Sequence, residues 1–253
     1  MKKIELSKIV DFCNLRVDLK NIKDFPGAEN GLQFENDGWV TKIGAAVDAG
    51  RVPFEKAKAL GIDFLIVHHG LFWTPFSPVV GARYSKIKLL IESNCAVYGS
   101  HLPLDCHPEI GNNAILIDKL GLNVTDRFLN YEGNDIGFVA EGIDSREELK
   151  RRLKQIFPYS LTCMEEGNPK IKRIGILTGS GSSAVDHLKN QEIDTFITGE
   201  LKQNFFNQAQ EEDLNLFCCG HYATETFGVN ALANEVARKF NLEFEFVPTN
   251  CPL

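Results

Sequence analysis

The sequence predicts an α/β protein made of two similar, interlinked α/β domains from an internal duplication, with mixed or parallel sheets flanked by helices. Three observations carry this. Apolar, β-branched runs alternate with helical stretches along the chain. The runs IDFLIV at 62–67 and IDTFIT at 193–198 are almost continuously apolar or β-branched, as expected of strands covered on both faces. The third is self-similarity. Residues 42–70 and 173–200 both read as a basic residue, Ile-Gly, an apolar strand, a small-residue turn, a helix, Ile-Asp and a second strand. Residues 95–122 and 217–242 both read as an apolar strand, glycine, histidine, three residues, an acid and a helix.

The elements follow in order. Helices are expected near 7–16, 53–60, 84–93, 111–120, 145–156, 182–190, 201–212 and 226–240. Strands are expected near 42–47, 62–67, 95–99, 136–141, 171–177, 193–198, 215–219 and 243–247. Glu5, Lys8 and Asp11 interrupt the apolar residues at the start, which therefore reads as an amphipathic helix and not a secretory signal. Ser145 and Glu148 have capping-box spacing. The proline in His101-Leu-Pro-Leu-Asp105 argues for a structured loop there. The stretch 130–135, YEGNDI, is the most linker-like, and the repeat puts a first domain at 1–125 and a second at 126–253, with segments free to cross.

The 253 residues suit one large or two small domains at roughly 150 residues each. A composition 43% hydrophobic and 24% charged is that of an ordinary globular chain. Lys plus Arg is 27 and Asp plus Glu 34, and the resulting −7 argues against a nucleic-acid partner. No apolar run approaches the roughly 20 residues of a membrane span. The seven cysteines are odd in number and lack a C-x-x-C pair, which reads as free thiols in the cytoplasm. For Cys106 and the Cys218-Cys219 pair, buried packing outweighs metal ligation.

The histidines carry the chemistry. His68 and His69 end one expected strand, while His101 and His221 follow two others. The carboxyl ends of strands line the ligand crevice of open α/β sheets. Asp105 stands four residues after His101, and Glu225 four after His221. Imidazole and carboxylate together suit divalent zinc, iron or manganese. Two packed halves would supply ligation for two ions with a shared carboxylate and open positions for water, an arrangement that favours catalysis over a structural role. A strand-end histidine can equally be a hydrogen-bonded structural residue. His187 reads as solvated on a helix, and His107 as a loop histidine. TGSGSS at 178–183 reads as a tight strand-to-helix turn, and Glu200 occupies the repeat position of the His69-Gly70 end. Asn30-Gly31 is a turn signal within ENGLQFEN, a stretch with no evident chemistry of its own.

These segments resemble one family closely. ENGLQFE, VHHGLFW, YGSHLPLDCHPEIGNNA, TGSGSSAVD with FITGE, and GHYATE occur in the order and spacing of the Nif-three-like proteins, also called YbgI-like dinuclear-metal hexamers or GTP cyclohydrolase I type 2 homologues. The likeness runs from about residue 30 to the C-terminus and is to the short form, without an inserted domain. It implies a homohexamer with two divalent ions per chain. It implies His68, His69, Asp105, His221 and Glu225 as ligands, and His101 as a nearby proton donor, acceptor or extra ligand. Tyr222 stands where close relatives can carry histidine, and with Glu200 it is a candidate for substrate contact or ligand support. Two dications against two carboxylates leave a local charge of about +2, which acidifies bound water and attracts an anionic small molecule such as a nucleotide. The implied function is a metal-dependent hydrolase, possible GTP cyclohydrolase chemistry included. The alternative is a non-catalytic metal-handling or interaction protein.

Overall fold

The computed structural model describes residues 2–73 and 77–253. In chain order the first elements are β1 (Ile4–Glu5), α1 (Leu6–Arg16), β2 (Gly31–Phe34), β3 (Trp39–Val40), β4 (Lys42–Asp48), α2 (Arg51–Leu60) and β5 (Phe64–His69). Next come α3 (Gly81–Ser93), β6 (Ala96–Gly99), α4 (Leu102–Asp105), α5 (Asn112–Leu120), β7 (Asn123–Tyr131), β8 (Asn134–Glu141) and α6 (Arg146–Ile156). Then follow β9 (Thr162–Glu165), β10 (Ile174–Ser180), α7 (Val185–Leu188), β11 (Thr195–Glu200), α8 (Phe205–Glu211), β12 (Asn215–Cys218), α9 (His221–Thr224), α10 (Thr226–Phe240) and β13 (Glu243–Phe246). The fold is mixed α/β, with helices flanking its sheets.

Contacts divide the chain into two compact units: residues 1–104 with 228–250, and residues 105–227 with 251–253. The boundary of sequence similarity near 125 is thus not the boundary of contact. Helix α5 packs on β10, β8 and β7, so the second unit begins upstream of it. Most of α10 returns to the first unit.

The first unit holds a five-stranded sheet in the order β13-β4-β5-β6-β2. Its first four strands are parallel, and β2 is antiparallel to β6. Phe64, Leu65, Ile66 and Val67 are fully buried, so both faces of β5 are covered, as its continuous apolar run requires. Phe54 of α2 and Leu90 of α3 pack into this core with Ala46, Leu65 and Val97. Helix α2 stops at Gly61, whose φ of 67° is the left-handed closure that frees the chain for β5.

The second unit holds a six-stranded sheet in the order β7-β8-β10-β11-β12-β9. Strands β10, β11 and β12 are parallel, while β8 and β9 run antiparallel on either side. The first unit thus has four parallel strands with one antiparallel edge strand, and the second three parallel strands with antiparallel strands on both sides. Phe138, Ile174, Ile176, Ile197 and Phe217 fill the core, with Leu149 and Leu153 of α6 packed on them. The Ser145 hydroxyl accepts the Glu148 N–H at 3.4 Å, so the expected cap starts α6.

Several local expectations are corrected. YEGNDI is the tip of the β7–β8 hairpin, with Tyr131 paired to Asn134, and not a linker. Residues 102–105 form the short helix α4, because proline is tolerated in a first turn where its missing N–H is no loss. The helix expected over 182–190 shrinks to α7 and one following 3₁₀ turn. Strands β1, β2, β3, β7 and β9 were not anticipated.

Candidate metal site

In the first unit, parallel pairing sets Asp48 of β4 beside His69 of β5 at the carboxyl ends of both strands. Adjacent β6 ends at Gly99, and His101 follows it. The His68 and His101 rings lie 4.9 Å apart between centroids, those of His68 and His69 5.0 Å, and those of His69 and His101 5.7 Å. One nitrogen from each of the three falls within 4.8 Å of the others, a grouping able to hold a metal ion.

Each of these rings is oriented through Nδ1. His68 Nδ1 lies 3.0 Å from the Ser100 carbonyl oxygen, His69 Nδ1 2.8 Å from the Asp48 carboxylate, and His101 Nδ1 2.9 Å from the Asp24 carboxylate. Carbonyl and carboxylate oxygens only accept, which assigns the proton to Nδ1 and the lone pair to Nε2. Asp24 is buried and also accepts from the Asn30 side chain and the Phe25 and Leu102 N–H groups. Burial pushes its carboxyl up, but the hydrogen bond and charge of His101, with Asn30 and Phe25, outweigh that and leave it below its ordinary value. Asn30 in turn accepts the His101 backbone N–H at 2.8 Å. The expectation that ENGLQFEN has no chemistry is therefore corrected: Asn30 braces both partners of the Asp24–His101 pair.

In the second unit, His221 opens α9 just beyond β12. Its Nδ1 lies 3.0 Å from Glu200 at the end of β11, and its Nε2 lies 3.1 Å from the buried Glu225. The Glu225 hydrogen bond, opposed by burial and aided by the Glu225 and Glu200 charges, pushes His221 up to about 9. A position between these carboxylates favours a cation, whether a proton on the ring or a metal ion beside it. Gly179, at φ 70°, lets Glu225 lie against the β10 backbone, where any Cβ would collide with its carboxylate. Thr224 Oγ1 accepts the Gly179 N–H, tying α9 to the same turn.

Asp105 is buried, and its carboxylate accepts from Asn112 Nδ2 at 2.8 Å. Asn113 donates to the Asp105 carbonyl and accepts the Thr178 N–H, so it links Asp105 to the β10 turn that carries Gly179. Tyr222 sits half-buried on α9, with its N–H donating to the Leu253 carbonyl.

The remaining candidates are structural. His107 Nδ1 accepts the Glu109 and Ile110 N–H groups, and His187 is exposed on α7. All seven cysteines are free, with Cys106 and Cys219 buried. Among the described residues no helix is long and apolar enough to cross a membrane.

Sequence reasoning missed Asp24 and Asp48. Asp48 carried a signal: it ends KIGAAVD as His69 ends FLIVHH, and the ends of paired parallel strands are neighbours. Asp24 carried none, since the loop holding it has no period.

An α/β framework with histidines at strand ends, each held by an oxygen acceptor, defines a class of candidate metal-binding proteins. The chain belongs to the Duf34/NIF3 (NGG1p interacting factor 3) family, whose sequence pattern it matches over residues 4–252. The GTP cyclohydrolase 1 type 2 homolog of Archaeoglobus fulgidus is 34% identical over 253 residues, spanning 98% of this chain and 100% of that one. The solved structure of the protein ybgI, of unknown function, superposes with a TM-score of 0.91 at 31% identity, covering 99% of this chain and 100% of its own. TTHA1606 from Thermus thermophilus gives a TM-score of 0.86 at 34% identity, with coverage of 99% and 100%.

Proposed function

We propose that the chain binds two divalent ions and acts as a metal-dependent hydrolase on a nucleotide or a phosphorylated small molecule, with GTP cyclohydrolase-type chemistry within that range. The observation that supports metal best is shared by three histidines. His68, His69 and His101 each have Nδ1 on an oxygen acceptor, which assigns the lone pair to Nε2. That is the support metal-ligating histidines receive.

The donor set fits a borderline or hard dication: imidazole and carboxylate, with every cysteine outside the set. The ligands are His68, His69, Asp105, His221 and Glu225, as the family likeness implies. Bound there, the ions would supply Lewis acidity that brings the pKa of water toward neutrality. The chain's own residues do the rest. Asp48, Asp24, Glu200 and the Ser100 carbonyl orient the rings, and Asn112 holds Asp105. His101, anchored by Asp24, presents Nε2 to take or deliver a proton. The ring set by Glu200 and the adjacent Tyr222 contribute to the substrate wall. Family membership also supports a homohexamer, which sedimentation equilibrium checks.

The test has two parts. Elemental analysis of protein reconstituted with zinc, iron or manganese is expected to return about two ions per chain; one or none overturns the dinuclear site. The reconstituted protein is then offered a panel of nucleotides and phosphoesters. Turnover abolished by Asp105→Ala, with the circular dichroism spectrum unchanged, supports the hydrolase. Metal retained without turnover on any member of the panel replaces it with a non-catalytic metal-handling protein.

A further inference from the structure

Helix α9 is a single turn, His221–Thr224, and it carries the His221 ring and the Tyr222 side chain at its start. One turn gains too few internal hydrogen bonds to hold its own direction, so contacts from outside must set it. Its N-terminal end is the weak one. The first N–H groups of a helix have no partner within it, and the preceding residue commonly supplies a side-chain acceptor. Here that residue is Gly220, which has no side chain to offer. It cannot be exchanged for one that does. Its φ is 93°, and a Cβ there would lie 2.8 Å from that of Ser160.

The acceptor comes from far along the chain. The Tyr222 N–H donates to the Leu253 carbonyl at 2.9 Å. The ties just upstream are of another kind. The Cys219 and Gly220 N–H groups donate to the Thr198 and Gly199 carbonyls, which extends the β11–β12 ladder past its last pair, Thr198 and Cys218. At the far end of the turn, Thr224 Oγ1 lies within 3.0 Å of the Gly220 and His221 carbonyl oxygens. Residues 251–253 belong to the second unit, yet none is part of its core and all three are exposed, Leu253 at 71%. Pro252 and Leu253 wall a cavity of about 500 Å³ that Gly199, Glu200, Phe206 and Gly220 also line. The segment is thus tied to α9 by a main-chain hydrogen bond across the side of a cavity, with little burial of its own.

We propose that Cys251–Leu253 is a strap whose Leu253 carbonyl caps α9 from outside and so positions the His221 ring between Glu200 and Glu225. Leu253 is a positioning residue that acts through its main chain. The consequence for metal binding rests on the reading of His221 as a ligand; the capping of α9 does not.

The full chain, a variant ending at Asn250 and Leu253→Ala test this side by side. In metal-free protein the His221 ring ¹⁵N and ¹³C shifts are expected to move on truncation, while those of His68, His69 and His101 stay. Leu253→Ala keeps the carbonyl and should leave all four rings in place. In zinc-loaded protein, competition against a chelator should show truncation weakening one bound ion about tenfold, the low end of what lost support of a ligand costs, with Leu253→Ala close to the full chain. Hydrogen exchange of the Tyr222 amide in the intact chain is expected to be slowed. An amide exchanging at the rate of an unstructured chain overturns the strap, even where the truncated variant fails to fold. Unchanged His221 shifts after truncation overturn it too, as do equal effects of truncation and Leu253→Ala, which would assign the role to the leucine side chain. His221 shifts that move in a chain taking up no metal keep the strap and overturn the metal-dependent reading instead.

Discussion

Asp24 accepts the Nδ1–H of His101 at 2.9 Å, across 77 positions of sequence. The same carboxylate receives the Leu102 and Phe25 N–H groups and the Asn30 amide, so one buried side chain closes four donors. Replacing it by alanine strands them. Asp24→Ala is expected to lose about 1–3 kcal/mol of stability in urea denaturation. Asp24→Asn keeps the shape but not the charge, and its amide N–H₂ can face the ring. The His101 ¹⁵N shifts should then move from a fixed Nδ1–H tautomer to a mixture. An unchanged tautomer ratio would show that Asp24 does not set the ring.

Gly179 makes the corresponding prediction for the second unit. Its φ of 70° and its closeness to the Glu225 carboxylate and His221 Nε2 leave no place for a side chain. Gly179→Ala must push Glu225 aside. Metal affinity is expected to fall about 10- to 100-fold, the range seen when support of a ligand is lost. Competition against a chelator reads this directly, and full affinity with the fold retained would remove Glu225 from the ligand set.

The positions of the histidines are legible in the sequence because parallel sheets present strand ends to one edge, and the apolar runs show where strands end. His68 and His69 close β5, and His221 follows β12, as their neighbours suggest. The acceptors behind them are less legible. Glu200 is visible through the repeat, but Asp24 lies in a loop that only the folded chain carries to His101. The hairpin at Tyr131–Asn134 escapes for a related reason: the polar, glycine-containing segment has the composition of a linker as much as of a tight turn. Of the flanking strands, β8 is expected from the apolar run at 136–141, while β7 becomes visible only once it pairs with β8.

Metal removal should leave the fold standing. The two cores are built from Phe64, Leu65 and Val97 in one unit and Phe138, Ile176 and Phe217 in the other, and none of the candidate ligands contributes to them. Protein treated with chelator is expected to keep its circular dichroism spectrum and its cooperative unfolding. Its midpoint should fall only by the linkage of the lost ions. Global unfolding on chelation would show that the metals are structural.

The thiols respond to base in a direction set by burial. Burial, with the Asp63 charge, pushes Cys95 from its ordinary 9.0 up to about 12, and burial above all pushes Cys218 to about 11. The folded chain therefore holds these protons after the unfolded chain has released them. Stability should be flat with respect to these thiols below about pH 9 and fall as pH rises from there toward the folded-state values, because the unfolded state binds fewer protons in that window. Guanidinium titrations between pH 8 and 11 measure the slope, and Cys95→Ala should reduce it. Alkylation of native protein near pH 8 should label exposed Cys251 first and leave buried Cys13, Cys95, Cys106 and Cys219 unmodified until the chain unfolds, because a thiol without its thiolate is a poor nucleophile and a buried one is shielded from reagent. Rapid labelling of Cys95 in the native state, located by mass spectrometry of its peptide, would mean that the β5–β6 core opens far more readily than its packing allows.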